Sequence, residues 1–306
     1  MRILITGGNG MLGTDARHIL ANLGHEVIST SSSAEDAQSS FRLDITDYDA
    51  VLAKFRQYSP DLVIHTAAYT NVEGCERDAS KAFRVNAFGT WCVASAAEAI
   101  QASLVVVSTD FVFDGALHRP YTEFDVPNPL NVYGASKLEG EKLAQQCCKK
   151  TYVVRTSWLY GVHGKNFVYT MLHQAAEDQK IAVVSDQIGC PTYTVDLVDL
   201  ILRIIARPLY GTYHGCNSGT TTWYEFARAI LDRFGYMDYA IDPLTSKEAA
   251  ERFRIKTNRP GNSALKCYSL ELLGEPEPRA WTEALEDFLD SAQTSGHLQR
   301  PINAPD

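Results

Sequence analysis

Short apolar runs alternate with amphipathic stretches along the first half of the chain. Each run is rich in β-branched or aromatic residues and is bounded by glycine, proline or polar residues, which is typical of buried strands. Such runs lie at residues 2–6, 25–30, 41–45, 61–68 and 103–109. Apolar positions with helical spacing lie between and after them, at residues 11–23, 46–57, 79–102 and 131–148. Strands that alternate with helices predict a parallel sheet with helices on both faces.

The second half of the chain begins with a strand at residues 151–161, after which the pattern is less regular. Turns rich in proline and glycine separate the elements that follow. These are a strand at 181–185 and helices near 165–178, 193–206, 222–235 and 280–291. This looser pattern suits a smaller lobe rather than a second sheet core.

Composition excludes several classes of protein. The 306 residues carry a net charge of −9, which argues against nucleic acid as a partner, because polyanions are met by basic surfaces. No apolar run approaches the roughly 20 residues of a membrane span, and the N-terminus has no signal-peptide pattern. We therefore expect a cytoplasmic protein with no membrane partner.

Cysteine and histidine usage adds no sign of metal chemistry. The seven cysteines form no CxxC pair and are expected to be reduced and mostly buried. The eight histidines form no HExxH motif, and no metal site is predicted.

A glycine-rich turn follows the first predicted strand and opens the first helix. In "TGGNGMLG", Gly7, Gly10 and Gly13 are spaced by three residues. Glycines at this spacing allow a tight turn, let backbone N–H groups approach a pyrophosphate, and permit close packing of the helix on the strand. In this strand–turn–helix context the motif indicates dinucleotide binding, although a merely structural turn is the alternative.

The fold class that these patterns predict is α/β, with a Rossmann-type doubly wound parallel sheet and a smaller C-terminal α/β substrate lobe. Residues 1–155 would form the dinucleotide-binding core, to which a return segment at about 192–216 belongs. Residues 156–191 and 217–292 would form the substrate-binding lobe. The polar residues 293–306 are predicted to be a flexible tail.

The end of the second strand bears on which dinucleotide is bound. NAD-selecting proteins carry an acidic residue there for the ribose 2′-hydroxyl, whereas this chain has "STSSS", residues 29–33, with Ser31 at the centre. Hydroxyls can donate to a 2′-phosphate, so we expect NADPH, with NADH as the alternative.

Other residues are candidates for contact with the rest of the cofactor. Asp44 would accept from the adenine amino group or act as a turn aspartate. Ala67 and Ala68 are small, so they would leave room for the cofactor or for neighbouring side chains. Neighbouring positions complete the predicted cofactor set: Asn9, Met11, Ile45 and Tyr69.

The segment "NVYGASKLEGEK" places Tyr133 and Lys137 four positions apart at the start of a predicted helix. Residues with this spacing share one helix face. A nearby cation lowers the pKa of a tyrosine, which makes it a credible general acid or base near neutral pH. The alternative is an exposed pair on a solvated helix face.

Several segments resemble the extended short-chain dehydrogenase/reductase family, and within it the dTDP-4-dehydrorhamnose reductases. The resemblance covers nearly the whole chain, to about residue 292. Besides the glycine turn, the matching segments are "HTAAYTNVEGCE" (65–76), "FRVNAFGT" (83–90), "STDFVFDG" (108–115), "YGASK" (133–137), "RTSWLYG" (155–161), "SDQIGCPTYTVDL" (185–197) and "RPGNSAL" (259–265).

The resemblance implies a catalytic trio of Thr109, Tyr133 and Lys137. Hydride passes from the nicotinamide to C4 of a nucleotide-linked 4-keto-6-deoxy sugar, and Tyr133 protonates the developing alkoxide. Lys137 lowers the pKa of Tyr133 and holds the nicotinamide ribose, while Thr109 hydrogen-bonds the carbonyl. Asn86 matches a family position that supports the cofactor side of the site, or else is a structural amide inside a helix.

The resemblance also suggests residues for the sugar nucleotide. Trp158 would pack against a face of the deoxysugar, or else within the core, and Asp110 would meet a sugar hydroxyl. Asn166 is a candidate for the diphosphate or base. Arg259 is favoured for the diphosphate, because a planar guanidinium suits phosphate oxygens. The basic run around it, residues 251–266, is otherwise typical of a solvated face.

Some relatives bind Mg²⁺ between subunits through carboxylates, and Asp15 matches one such position. Val195 stands where a second carboxylate is expected. This departure argues against the metal, and it leaves a homodimer open.

The function implied is reduction of dTDP-4-dehydrorhamnose to dTDP-L-rhamnose, with a nucleotide sugar as the partner. Two alternatives stay open at this point. The first is a reductase of another nucleotide-linked keto sugar, and the second is a non-catalytic regulatory subunit resembling the β subunit of methionine adenosyltransferase.

Overall fold

The computed structural model describes residues 1–32 and 40–298; Ser33 and residues 299–306 of the predicted tail lie outside these ranges. The strands are β1 (Arg2–Thr6), β2 (Glu26–Ser31), β3 (Ser40–Arg42), β4 (Leu62–His65), β5 (Ser103–Thr109), β6 (Thr151–Thr156), β7 (Leu159–Tyr160), β8 (Ile181–Val184), β9 (Ile188–Gly189), β10 (Thr192–Tyr193), β11 (Gly211–His214), β12 (Thr221–Thr222) and β13 (Ile241–Leu244).

The helices alternate with these strands through most of the chain. They are α1 (Met11–Asn22), α2 (Tyr48–Tyr58), α3 (Val72–Arg77), α4 (Ala79–Phe83), α5 (Thr90–Ala99), α6 (Val132–Cys147), α7 (Phe167–Ala176), α8 (Thr194–Ile205), α9 (Trp223–Phe234), α10 (Ser246–Phe253), α11 (Tyr268–Leu272) and α12 (Trp281–Thr294). A π-helical segment, Arg84–Gly89, joins α4 to α5. Over the described ranges, none of these helices is both long and apolar enough to cross a bilayer.

Seven parallel strands form the central sheet, in the order β11-β6-β5-β4-β1-β2-β3. The chain winds outward in one direction from β1 through β2 to β3 and then in the other direction from β4. Between β1 and β4 the carboxyl ends of the strands border a crevice, where ligands bind in open α/β sheets. The predicted doubly wound parallel sheet is confirmed.

Both faces of this sheet are buried, because successive strand residues point to opposite sides. Ile3 and Ile5 pack with residues of α1 and α8 on one face. Leu4 packs with residues of α2, α5 and α6 on the other. Full burial of one such side chain is worth about 1.5–3 kcal/mol, so these two layers hold the strand ends that border the crevice in place.

A third buried cluster forms the core of the smaller lobe. It is built on α7, α9 and α12, which bring together Met171, Phe226, Ile230 and Phe288. The parallel pair β8 and β13 adds its apolar residues to the same cluster. The smaller C-terminal α/β lobe predicted from the sequence is therefore present.

The structure differs from the predicted elements in several places. The helix predicted at 79–102 is three pieces, with the π-helical segment in the middle. The strand predicted at 41–45 ends at Arg42, and that predicted at 61–68 ends at His65. The last helix continues to Thr294, and Leu298 packs against the lobe cluster. The chain is thus folded beyond residue 293, where the tail was predicted to begin.

Candidate active site

A cavity of about 930 Å³ opens at the carboxyl ends of the central strands. Its walls come from the glycine turn, from the ends of β2, β4 and β5, and from the first turns of α6. The predicted site residues that line it are Gly7, Asn9, Gly10, Met11, Gly13, Ser31, Asp44, Ile45, Ala67, Ala68, Tyr69, Thr109, Asp110, Tyr133, Lys137 and Trp158. Residues that lie far apart in the sequence are therefore gathered around one space.

The glycine turn has the geometry of a phosphate-binding loop. Gly7 has a φ of +75°, a conformation that L side chains rarely adopt. A Cβ added at Gly13 would lie 2.2 Å from the Gly7 carbonyl oxygen, so only glycine lets α1 approach the turn. Gly10 is the N-cap of α1 and brings no side chain to that helix end. A dinucleotide pyrophosphate fits this turn, because the first backbone N–H groups of a helix attract anions.

The end of the cavity beside β2 has hydroxyls and a nearby arginine. Ser31 ends β2, and the parallel register pairs it with Arg42 of β3. Asp44 closes a turn, where its Oδ1 accepts from the Thr46 backbone N–H at 2.9 Å and from the Thr46 hydroxyl at 2.8 Å. These bonds lower the pKa of Asp44. Asp44 therefore has the structural role of a turn aspartate while it also lines the cavity.

Tyr133 and Lys137 lie on the first turns of α6, on the face toward the cavity. Asn131 caps this helix by accepting from the Gly134 N–H at 2.8 Å. The Lys137 ammonium donates to the Val107 carbonyl oxygen on β5 at 2.7 Å. Burial lowers the pKa of Lys137 to about 8, against a smaller opposite effect of Glu141 one turn further on. The ammonium is thus fixed between α6 and the sheet.

The pKa of Tyr133 is raised in this structure, whereas its spacing to Lys137 had led us to expect a lowered pKa. Burial raises the pKa of Tyr133 well above its ordinary value of 10. A hydrogen bond with Thr109 opposes this shift, while the negative charge of Asp110 adds to it. Desolvation of the phenolate outweighs the hydrogen bond with Thr109, and Tyr133 keeps its proton at neutral pH.

Thr109 belongs to a buried network centred on Asp110. The Thr109 hydroxyl donates to Asp110 Oδ1 at 3.0 Å, and the Ser157 hydroxyl donates to Asp110 Oδ2 at 3.3 Å. Burial raises the pKa of Asp110 to about 6, although hydrogen bonds from Ser263, Thr109 and Ser157 hold it down in part. Asp110 therefore titrates near the neutral range, beside a hydroxyl that lines the cavity.

Asn86 supports the cavity through hydrogen bonds to Tyr69, which lines it, and to Ser136 on α6. It lies in the π-helical segment, and its Oδ1 accepts from the Tyr69 N–H at 2.7 Å. Its Nδ2 donates to the Tyr69 carbonyl oxygen at 3.1 Å and to the Ser136 hydroxyl at 3.0 Å. Asn86 thus joins the segment that follows β4, at Tyr69, to the helix that carries Tyr133. It is buried and is not among the described residues that line the cavity.

Two of the predicted substrate residues are not among the described residues that line this cavity. Arg259 lines a second cavity of about 530 Å³ in the lobe, where its Nη2 lies 3.8 Å from Glu73 Oε1. Asn166 caps α7 by accepting from the Tyr169 N–H at 3.1 Å, and its Nδ2 donates to the Gly161 carbonyl oxygen at 2.7 Å. Both polar ends of Asn166 are therefore used in local structure rather than directed at a ligand.

Trp158 lines the main cavity, and it also packs within the fold, as the alternative of core packing expected. Its ring stacks on Trp223, with ring centroids 3.6 Å apart and an angle of 9° between the planes. A sugar cannot pack against the face that Trp223 covers. Asp15 is likewise engaged within the fold: it accepts from the Thr194 hydroxyl, and its Oδ1 lies 3.5 Å from His163 Nε2.

Sequence reasoning missed two cations that line the main cavity, Lys81 and Lys165. Lys81 Nζ lies 4.5 Å from the centre of the Tyr69 ring. Lys165 directly precedes Asn166 in the segment "GKNF". Asn166 rather than Lys165 was predicted from the sequence to bind the substrate. With Lys137, these residues give an acidic protein the local positive charge that an anionic ligand needs.

A further missed feature is the buried ion pair behind Lys137. Arg155 Nη2 on β6 lies 2.7 Å from Glu141 Oε2 on α6. The Ser108 hydroxyl, next to Thr109, donates to Glu141 Oε1 at 2.5 Å. The pair fixes α6 against the sheet and so positions the residues of its first turns.

Comparisons with known proteins agree with this geometry. The family model for the RmlD substrate binding domain matches residues 1–294. The chain is 39% identical to the spore coat polysaccharide biosynthesis protein SpsK of Bacillus subtilis, over 96% of this chain and 99% of that protein. It is 35% identical to the dTDP-4-dehydrorhamnose reductase of Aggregatibacter actinomycetemcomitans, over 94% and 98% of the two chains.

A solved structure of a protein with the same name is also similar to this chain. The dTDP-4-dehydrorhamnose reductase of Bacillus anthracis, in complex with NADP, matches with a TM-score of 0.88 and 38% identity. The match covers 95% of this chain and 99% of that one.

Proposed function

The chain belongs to the RmlD substrate binding domain family, and from that premise we propose that it reduces the C4 carbonyl of a nucleotide-linked 4-keto-6-deoxy sugar with NADPH. The substrate we propose is dTDP-4-dehydrorhamnose and the product dTDP-L-rhamnose. One observation carries the proposal: Thr109, Tyr133 and Lys137 line the same cavity as the glycine turn. The groups needed for carbonyl reduction thus surround one space.

NADPH is the cofactor that the residues around the cavity favour. The glycine turn fits its pyrophosphate, and Ser31 with the neighbouring Arg42 offers hydroxyl and guanidinium donors to a 2′-phosphate. The end of β2 carries no carboxylate that would repel this phosphate. When bound, the cofactor supplies the hydride.

Tyr133 is the proton donor in this proposal. Its raised pKa keeps the phenol protonated at neutral pH, which is the form that reduction of a carbonyl requires. General acid catalysis of this kind contributes roughly 10²–10⁴-fold to a rate. Lys137, held by the Val107 carbonyl, places a positive charge at the site where the alkoxide develops.

Thr109 and Asp110 orient the substrate carbonyl. The Thr109 hydroxyl is held by Asp110 and by the Phe111 N–H, whose distance to Thr109 Oγ1 is 3.2 Å. Because this hydroxyl has a single proton, it binds a carbonyl oxygen by turning that proton from Asp110 to the substrate, while the Phe111 N–H keeps the oxygen in place. That orientation adds to the rate. The cytoplasmic location and the homodimer stay predictions from the sequence.

The test is the sugar-dependent loss of reduced-nicotinamide absorbance. We expect the purified protein to oxidise NADPH when dTDP-4-dehydrorhamnose is present and only slowly without it. Tyr133→Phe should lower kcat at least about 100-fold while NADPH still binds, because only the proton donor is removed. Unchanged turnover by Tyr133→Phe would remove Tyr133 from the mechanism.

The same assay tests the choice of substrate. dTDP-4-keto-6-deoxyglucose, offered beside dTDP-4-dehydrorhamnose, should be the poorer substrate in kcat/KM. Oxidation with neither sugar, despite NADPH binding, would favour another nucleotide-linked keto sugar or the regulatory-subunit alternative.

A further inference from the structure

Trp158 has an unusual backbone conformation at the edge of the main cavity. Its φ is +46°, a left-handed conformation that is uncommon outside glycine, asparagine and aspartate. The preceding residue fixes this backbone, because the Ser157 hydroxyl donates to Asp110 at 3.3 Å and accepts from the Cys190 N–H at 3.4 Å. The direction in which the indole leaves the chain is therefore set by the buried network around Asp110.

Trp223 covers one face of the Trp158 indole. The two rings are nearly parallel, at 9°, with centroids 3.6 Å apart. Trp223 is the first residue of α9, whose N-cap Thr222 forms a capping box with Glu225. Phe167 packs on Trp223 in turn, at a centroid distance of 4.6 Å. The Trp223 side chain is thus held in place by the start of α9 and by Phe167.

Gly189 lies over the face of the Trp158 indole away from Trp223, since the three atoms nearest to a Cβ added at Gly189 all belong to Trp158 and none to the stacked Trp223. A Cβ added there would lie 2.2 Å from Trp158 Cε2 and 2.5 Å from both Cζ2 and Nε1. Cζ2 and Nε1 are both bonded to Cε2, and their equal, longer distances place the added carbon over the ring rather than at its rim. The φ of Gly189 is not positive. Glycine is therefore required at this position by the indole and not by the backbone.

Gly189 and the residue before Trp223 belong to one small sheet. Strands β9 and β12 are antiparallel, with Gly189 paired to Thr221 and Ile188 to Thr222. The Ile188 N–H also donates to the Gly261 carbonyl oxygen at 2.8 Å. We call the space between Gly189 and Trp223, which holds the Trp158 indole, the slot. Because β9 and β12 are paired, its two sides are fixed to each other, and the indole has little freedom within it.

We propose that Gly189 and Trp223 are positioning residues that clamp Trp158 so that only the edge of its indole meets the sugar. The proposal rests on the proposed reductase function. We had expected a face of the sugar to pack on the face of the Trp158 ring. In this proposal the sugar contacts only the edge of that ring. Because Trp158 lines the main cavity and Trp223 the second one, the stacked pair is also the wall between the two cavities.

Gly189→Ala should displace the indole, since the new methyl group occupies the space of the ring. We expect the KM for the sugar nucleotide to rise about tenfold, with kcat changed less, because uniform binding of the sugar is lost. The NADPH Kd should stay unchanged, since Trp158 lies on the sugar side. Gly261→Ala is the matched control: Gly261 holds Ile188 through its backbone carbonyl, which alanine retains, it is exposed, and an added Cβ meets no atom within 4 Å.

A double-mutant cycle separates this clamp from general damage to the fold. In a Trp158→Ala background the slot is empty, and Gly189→Ala should then add no further increase in KM. Trp223→Phe should raise KM less than Trp223→Leu, because a smaller aromatic ring still stacks. An increase caused by Gly189→Ala that persists undiminished without the indole would overturn the proposal, as would an unchanged KM in the single variant.

A spectroscopic readout keeps the clamp testable if the sugar is not turned over at all. Stacked indoles give an exciton-coupled circular dichroism signal in the far ultraviolet, which Trp223→Phe should abolish and Gly189→Ala should reduce. Absence of that signal from the unaltered protein would contradict the clamp. Its presence without turnover would leave the clamp standing and refute only the reductase function.

Discussion

Burial moves the pKa values of Tyr133 and Lys137 in opposite directions. The phenol becomes harder to ionise, and the pKa of the ammonium falls to about 8. Both shifts have the same cause, because a low-polarity environment disfavours whichever form is charged. At neutral pH the pair is therefore a protonated phenol beside an ammonium, the combination that carbonyl reduction needs.

The titration of Lys137 leads to a first prediction. kcat/KM for NADPH, which reports the free protein, should fall as pH rises through about 8, where Lys137 loses its charge. In Lys137→Arg the guanidinium stays charged, so this alkaline decrease should disappear from whatever activity remains. Initial rates from pH 6 to 10 provide the measurement, and a decrease with the same midpoint in both proteins would assign it to another group.

A second prediction concerns cofactor choice. Arg42→Ala should weaken NADPH binding about 10- to 100-fold and leave NADH binding unchanged, since a hydrogen bond to a charged group contributes about 1.5–3 kcal/mol. Isothermal titration with each cofactor measures this. Arg56→Ala, on α2, serves as the control for a general loss of positive charge. Equal weakening of both cofactors by Arg42→Ala would exclude a 2′-phosphate contact.

The residue scale also shows what could be predicted from the sequence. Tyr133 and Lys137 were recognisable because their relation is local, within one helical turn. Arg42 was not, because only the parallel pairing of β2 and β3 brings it beside Ser31. The stacking of Trp158 on Trp223 could not be predicted for the same reason, since Trp223 lies 65 residues later in the sequence.

Among the elements, α6 carries most of the proposed chemistry, and its position depends on a buried ion pair. Glu141 and Arg155 are both buried, and Ser108 hydrogen-bonds the same carboxylate. Removing one partner would leave a buried charge without compensation, which is far more costly than the loss of a surface pair. The helix therefore depends on a residue two turns away from Tyr133.

Glu141→Gln is predicted to lower the free energy of unfolding by about 3–5 kcal/mol, because Arg155 loses its counter-ion. Urea denaturation measures the change. Glu139→Gln is the matched control on the same helix, since Glu139 is half exposed and its contact with Lys142 spans 3.9 Å. The control should stay within about 0.5 kcal/mol of the parent protein. Similar losses in both variants would contradict a special role for the buried pair.

The π-helical segment could not be predicted at the scale of elements. Residues 79–102 read as one alanine-rich helix, because only local spacing enters such a prediction. The break coincides with Asn86, whose amide bonds Tyr69 and Ser136 from two other elements. Tertiary hydrogen bonds of this kind leave no periodic signal, although π-helical turns are frequent at functional sites.

At the scale of the whole molecule, two buried histidines join the sheet to its surroundings. His65 Nδ1 lies 2.6 Å from the Thr6 hydroxyl, and its Nε2 lies 3.0 Å from the Thr90 hydroxyl. Burial lowers the pKa of both His65 and His214 to about 3, from an ordinary value of 6.5. Between these two pH values the unfolded chain binds a proton that the folded chain excludes at each histidine. Stability from this source is therefore present above about pH 6.5 and decreases as pH falls toward 3.

His65→Gln tests this linkage. The variant should be less stable at pH 7 because two hydrogen bonds are perturbed, but its stability should fall less steeply with decreasing pH. The slopes should differ by up to about 1.4 kcal/mol per pH unit around pH 5, the effect of one proton. Urea midpoints between pH 7 and pH 4.5 measure both proteins. Parallel curves would show that His65 takes no part in the pH dependence.

The architecture as a whole could be predicted more fully than its details. Alternating strands and helices, with a glycine turn after the first strand, determine a doubly wound sheet because few other arrangements bury every strand on both faces. The smaller lobe was harder to predict, since β9 and β12 are only two residues long and are too short to show an alternation of apolar and polar residues. Those two strands fix the slot around Trp158.

The central claim is that hydride reaches C4 of a sugar nucleotide at the cavity formed by Thr109, Tyr133 and Lys137. The most direct measurement uses NADPH deuterated at the transferable position, dTDP-4-dehydrorhamnose as substrate, and nuclear magnetic resonance of the product. We predict one deuterium at C4 of dTDP-L-rhamnose with the unaltered protein, and almost none with Tyr133→Phe over the same time. A product without deuterium at C4, or no product from any 4-keto-6-deoxy sugar nucleotide, would contradict the claim.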